Sequence, residues 1–182
     1  MTLPNKITFF RLILTVIAIL FFYLGFPYHY LWSLACFLLA MILDYLDGYL
    51  ARQLNQVTEL GAFLDPLVDK ITIMAFLVCL VDQQLISAWL ALLLIFRDIG
   101  VSSFRSLGMA KGISIPARYS GKFKTLFQIF GIALGLLTIA QTNFLNYSLG
   151  LHLTFYTLLV ALIISYVSGL LIIARNYRKV FE

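Results

Sequence analysis

The sequence predicts an all-α integral membrane protein, one domain over residues 1–182 folded as a bundle of six transmembrane helices. Three observations lead there. Hydrophobic residues make up 62% of the chain and charged ones 12%, about half the charged share of a soluble domain. The apolar residues gather into runs close to the roughly 20 residues a spanning helix needs. Finally, the basic residues fall on alternate connections, as they do when the cytoplasmic side collects Lys and Arg.

The first span is expected over about Ile7 to Gly25, and Pro27 with Tyr28, His29 and Tyr30 then marks a membrane interface. No small-residue cleavage site stands out, so this run is expected to be retained. The second span covers about Leu31 to Leu50 and ends in acidic residues, and the third covers Gly61 to Val81. The fourth runs from Leu85 to Val101, and a polar, basic connection is expected from Ser102 to Lys122. The fifth and sixth span Phe123 to Ala140 and Leu153 to Ala174. The connections around Pro27, Asp82 and Asn143 hold no Lys or Arg. Every basic residue is then assigned to one side, with both termini cytoplasmic, which favours six spans over five or seven. Cys36 and Cys79 lie in apolar runs and read as bystander thiols.

Four of the eight acidic residues, Asp44, Asp47, Asp65 and Asp69, fall close together in the second and third spans. A carboxylate inside a membrane segment is costly, so such residues mark function or a paired partner. Asp44 and Asp47 are spaced i,i+3 and Asp65 and Asp69 i,i+4, which puts each pair on one helix face. Gly48, Ala51 and Gly61 keep those faces small, allowing a ligand or a backbone to approach. Antiparallel neighbours would bring both pairs to the same depth. An all-oxygen set suits two hard divalent cations, Mg²⁺ or Mn²⁺, an arrangement known for phosphoryl chemistry. The alternative is a set of helix-end charges paired with Arg52 and Lys70. Pro66 directly follows Asp65 and would either kink the third helix or lie near its first turn.

Written out, the segment is Asp44-x2-Asp47-Gly48-x2-Ala51-Arg52-x8-Gly61-x3-Asp65-x3-Asp69. It resembles the signature of the CDP-alcohol phosphotransferase family at all its fixed positions. Pro4-Asn5-x2-Thr8-x2-Arg11 and Ser120-Gly121-Lys122-x-Lys124-Thr125 resemble motifs of the bacterial phosphatidylglycerophosphate synthase branch. So does Arg97-Asp98 followed by Arg105, although that branch more often has Glu at 98.

The resemblance implies a six-helix bundle of the CDP-alcohol phosphotransferase type, usually a homodimer, in the bacterial cytoplasmic membrane with a cytoplasmic active site. It implies transfer of a phosphatidyl group from CDP-diacylglycerol to an alcohol, sn-glycerol 3-phosphate in this branch, with release of CMP. By the same likeness Asp44, Asp47, Asp65 and Asp69 would hold two Mg²⁺ or Mn²⁺ ions, with Asp69 also the base. Asn5, Thr8, Gly48, Ala51, Arg52, Thr58 and Gly61 match positions toward CDP-diacylglycerol. Thr58 reads equally as a helix N-cap, and Asn5 and Thr8 as a capped interfacial turn. Arg105, Arg118, Lys122 and Lys124 would receive the acceptor phosphate, or else serve topology and anionic headgroups. Nucleic acid is not an expected partner.

Other acceptors stay open: phosphatidylglycerol, serine or an inositol phosphate. The same carboxylates could also serve a divalent-cation carrier, but a carrier predicts polar residues through the outer halves of the spans, where the sequence has few.

Overall fold

The computed structural model describes residues 3–53, 59–113, 119–140 and 146–181. They form six α-helices: α1 Leu3–Tyr23, α2 His29–Gln53, α3 Glu59–Asp82, α4 Ala88–Ala110, α5 Tyr119–Ile139 and α6 Tyr147–Phe181. The expected runs are all present as helices, and two are much longer than hydropathy indicated.

α4 does not stop at Val101. It continues for nine more residues through Ser102 and Arg105, so much of the expected basic connection is helix. The continuation is amphipathic, with Val101 and Gly108 buried. It ends where Gly112 takes a φ of 75° and the chain closes a Schellman motif. There the Ile113 N–H bonds Gly108 O at 2.9 Å and the Gly112 N–H bonds Met109 O at 2.9 Å. α6 begins six residues before Leu153 and runs seven past Ala174. At 35 residues it is about 52 Å long, well beyond a bilayer core of about 30 Å. Its far end is held by the Lys111 ammonium, which donates to Val180 O.

Neighbouring helices alternate in direction. α1 packs closely on α2 and α5 on α6, while α3 and α4 join the two pairs. The core is apolar and aromatic, centred on Phe22, Phe37, Phe76, Leu80, Leu94 and Leu136. Gly131 and Gly135 allow α5 to sit close to its neighbours: a Cβ would fall 2.8 Å from Leu158 Cγ at the first and 2.7 Å from Leu80 Cδ2 at the second. Large apolar side chains also cover the outside, among them Leu20, Trp32, Leu92, Phe96, Phe130 and Leu170. His29–Leu46 and Tyr147–Tyr177 are long and apolar enough to cross a membrane, and Ile7–Tyr23 and Phe123–Ile139 are shorter apolar stretches.

Polar ties stitch α1 to its neighbours. Ser33 Oγ donates to Ala18 O at 2.8 Å, joining α2 to α1. Thr15 on α1 and Thr72 on α3 share a 2.8 Å bond between buried hydroxyls. Both lie one turn below the charged residues described next, and they fix how α1 and α3 face each other. Pro66 lies inside α3, about two turns from its start, which answers where it sits relative to the first turn.

Candidate active site

The site is built where α1, α2 and α3 meet. Asp44 stands about 13 Å before the end of α2, and Asp69 about 15 Å after the start of α3. Antiparallel packing therefore brings them to one depth, as the spacing predicts. Between them lies Arg11 of α1. Its Nη1 reaches Asp44 Oδ1 at 2.6 Å, and its Nη2 donates to Asp69 Oδ1. Its Nε donates to the Ala40 carbonyl of α2 at 3.2 Å. One guanidinium thus spans all three helices, a task suited to its planar fork. Because one guanidinium reaches Oδ1 of both, the Asp44 and Asp69 carboxylates lie close to each other.

Exposure is unequal across this group. The Arg11 side chain is 1% exposed, those of Asp44 and Asp69 38% and 44%. The cation approaches from inside the bundle, and the carboxylates keep an open side. Two like charges held this near repel, and among the described residues the Arg11 guanidinium offsets only part of their charge. Such a pair, part-exposed and oxygen-only, fits a hard divalent cation.

The remaining predicted residues distribute as follows. Asn5 lies on α1, and Thr8 is buried there one turn before Arg11. Asp47, Gly48, Ala51 and Arg52 lie on the last turns of α2, Gly61 and Asp65 on the first turns of α3, and Lys122 on the first turn of α5. Their side chains, like that of Asn5, are outside the described set, as are Thr58 and Arg118 altogether. Among the described side chains no three His, Cys, Asp or Glu converge, so Asp44 and Asp69 are the part of the aspartate set the structure brings together.

Arg105 and Lys124 belong to a second charged group, between α4, α5 and α6. Asp98 is its hub. It accepts from the Lys124 ammonium, from Arg97 Nη1 at 3.2 Å and from Gln128 Nε2 at 3.3 Å. Arg97 also donates to Ser165 O at 2.6 Å and Ser168 Oγ at 2.7 Å on α6. Lys124 is therefore already engaged by a carboxylate. Arg105 differs: its Nε is buried with no hydrogen-bond partner among the described residues. Lys70 stands next to Asp69 on α3 and is partly buried.

Sequence reasoning missed the part played by Arg11, which it treated as a topology mark and a motif position. The signal was available. An arginine inside an apolar helix with no acid on that helix must find its partner on another. It also missed Asp98 as a hub, although Arg97-Asp98 stands in the interior of an apolar run.

Comparison with known proteins adds an independent line. The profile of a family described as CDP-alcohol phosphatidyltransferase matches residues 1–167. A Bacillus subtilis (strain 168) protein named CDP-diacylglycerol–glycerol-3-phosphate 3-phosphatidyltransferase is 36% identical over 143 residues, covering 72% of this chain and 74% of that one. A Rickettsia bellii protein of the same name is 30% identical over 175 residues, covering 96% of this chain and 91% of its own. A Wigglesworthia glossinidia brevipalpis protein, again of that name, is 37% identical over 137 residues, 72% of this chain and 75% of its own.

Proposed function

The chain belongs to the CDP-alcohol phosphatidyltransferase family, and from that premise we propose that it transfers the phosphatidyl group of CDP-diacylglycerol to sn-glycerol 3-phosphate. The products are phosphatidylglycerophosphate and CMP. The observation that carries this reading is the meeting of Asp44 and Asp69 on neighbouring helices, inside a chain whose relatives are named for that reaction.

On this reading Asp44, Asp47, Asp65 and Asp69 hold two divalent cations, Mg²⁺ or Mn²⁺. When bound, such ions supply charge neutralisation for the pyrophosphate and for the departing CMP oxygen. The chain's own residues do the rest. Asp69 takes the proton from the acceptor hydroxyl, whose oxygen forms a bond to the diacylglycerol-bearing phosphorus. The bond from that phosphorus to the CMP oxygen breaks, and CMP leaves. Asp69 is held in place by the Arg11 guanidinium, and it acts through its position against the acceptor hydroxyl. Asn5, Thr8, Gly48, Ala51, Arg52, Thr58 and Gly61 receive the nucleotide and pyrophosphate.

The acceptor phosphate is assigned to Arg105, Arg118, Lys122 and Lys124. Supporting Arg105 is its buried Nε, which has no partner among the described residues and which a phosphate oxygen would satisfy. Lys124 has three donors, and an anion can share the ammonium with Asp98. We further propose that all six helices cross the cytoplasmic membrane, with the charged end of the bundle facing the cytoplasm, and that the enzyme is a homodimer. Supporting this orientation is the alternating helix direction, which puts the termini and the basic residues at one end.

The test is CMP release by the purified protein with Mn²⁺ or Mg²⁺ against a panel of acceptors. Glycerol 3-phosphate is expected to support turnover at least about tenfold above serine, phosphatidylglycerol and inositol phosphate. Preference for any of those three assigns the enzyme to another acceptor.

A further inference from the structure

We propose that Arg11 is the resident counter-cation of the Asp44/Asp69 pair: a positioning residue that keeps the two carboxylates assembled before a metal ion arrives and lowers the site's affinity for one. This rests on the reading that Asp44 and Asp69 hold divalent cations.

Three features of the structure support it. Arg11 is fully buried, whereas both carboxylates are part-exposed. The guanidinium lies on the inner side of the pair, and a cation entering from the open side need not displace it. Next, Arg11 contacts Oδ1 of both aspartates. Each carboxylate has two oxygens and about four lone-pair sites, so one guanidinium contact still leaves room for a cation. Finally, the guanidinium is itself held in place. Its Nε is tied to Ala40 O, and its backbone carbonyl accepts from Thr15 Oγ1 at 2.9 Å. Thr15 in turn bonds Thr72 of α3, one turn from Asp69. The guanidinium is thus fixed relative to both helices that carry the acids.

The consequence has a sign. Without Arg11 the two carboxylates face each other with less compensation, so the metal-free fold weakens. A divalent ion then restores more stability than in the native protein. The same loss of a neighbouring positive charge strengthens ion binding. A purely structural tie would instead weaken the fold by the same amount with or without metal.

The experiment is thermal unfolding of the full chain in detergent, in EDTA and across a Mn²⁺ titration. In Arg11→Gln the Mn²⁺-induced rise in Tm is expected to be at least about twice that of the native protein, and the half-saturating Mn²⁺ concentration to fall by roughly tenfold. Adding Asp69→Asn to Arg11→Gln removes one of the opposed charges and is expected to bring the metal-free Tm back toward the native value. If Arg11→Gln folds only in Mn²⁺ and collapses on chelation, that is the predicted behaviour in its extreme form. Equal Tm losses in EDTA and Mn²⁺ overturn the proposal, as does a double variant weaker than Arg11→Gln, or an Arg11→Gln chain that folds in neither condition. A native protein that Mn²⁺ does not stabilise defeats the divalent-cation reading itself, and this proposal with it.

Discussion

Two charged groups lie toward the same end of the bundle, and they are built in opposite ways. In the first, between α1, α2 and α3, the cation is buried and the acids are open: Arg11 is 1% exposed against 38% and 44% for Asp44 and Asp69. In the second, between α4, α5 and α6, everything is closed. Asp98, Lys124 and Arg97 are each about 10% exposed or less, and Asp98 accepts from three side chains. Among the described residues the first group has acid in excess over its cation, and the second has cation in excess over its acid. A closed, internally bonded group is suited to fixing helix positions. An open pair of acids with one shared counter-charge is costly unless something from outside binds there. The contrast sets an open pair of acids apart from a closed hub at Asp98 that ties α4, α5 and α6 together.

Substitutions on the two sides should therefore fail in different assays. The largest effect belongs to Asp69→Asn. It should lower CMP release by at least about a thousandfold, within the range for loss of a positioned acid–base group, while the unfolding midpoint stays near native. Comparable turnover in the variant would move the base elsewhere. Next comes Asp98→Ala, which strands the Lys124 and Arg97 charges inside the bundle. It should cost about 3–5 kcal/mol in denaturant unfolding. If it instead abolished activity with stability intact, Asp98 would act in the reaction and not as the tie between helices, and the contrast would fail. Arg105→Ala should raise KM for glycerol 3-phosphate by roughly tenfold, the loss expected for a charge-assisted hydrogen bond, with little change for CDP-diacylglycerol. Equal changes for both substrates would reject its assignment to the acceptor. The smallest is Thr72→Val, which removes the Thr15–Thr72 bond beneath the open acids. About 1 kcal/mol of stability is expected to go, and a large loss of turnover would show that this tie aligns the site.

The aspartates of the open group were legible because their information is local. Intervals of three and four residues place side chains on one helix face whatever surrounds them, and two such faces on helices joined by a short connection must meet. Arg11 was not legible in the same way, because its partners lie 33 and 58 positions away on other helices. Spacing along α1 cannot name them. The lengths of α4 and α6 escaped for another reason. Hydropathy marks the part of a helix that sits among apolar surroundings, whereas the backbone continues as long as one face stays packed. Residues 102–110 keep Gly108 buried, and the last turns of α6 keep Ile172 and Val180 buried, so both helices outlast their apolar runs. What stops α4 is local after all, since Gly112 with Ile113 forms its closing motif. The hub at Asp98 combines both difficulties: its neighbour Arg97 is visible in the sequence, but Lys124 and Gln128 reach it only through the packing of α5.

The most direct test of the account is the number of Mn²⁺ ions bound, measured by calorimetric titration of the native protein and of the Asp44→Asn/Asp69→Asn double variant. About two ions per chain are expected in the native protein and none of comparable affinity in the variant, with both still folded. Unchanged binding in the variant would contradict it, because the acids joined by Arg11 would then not be where the cations sit.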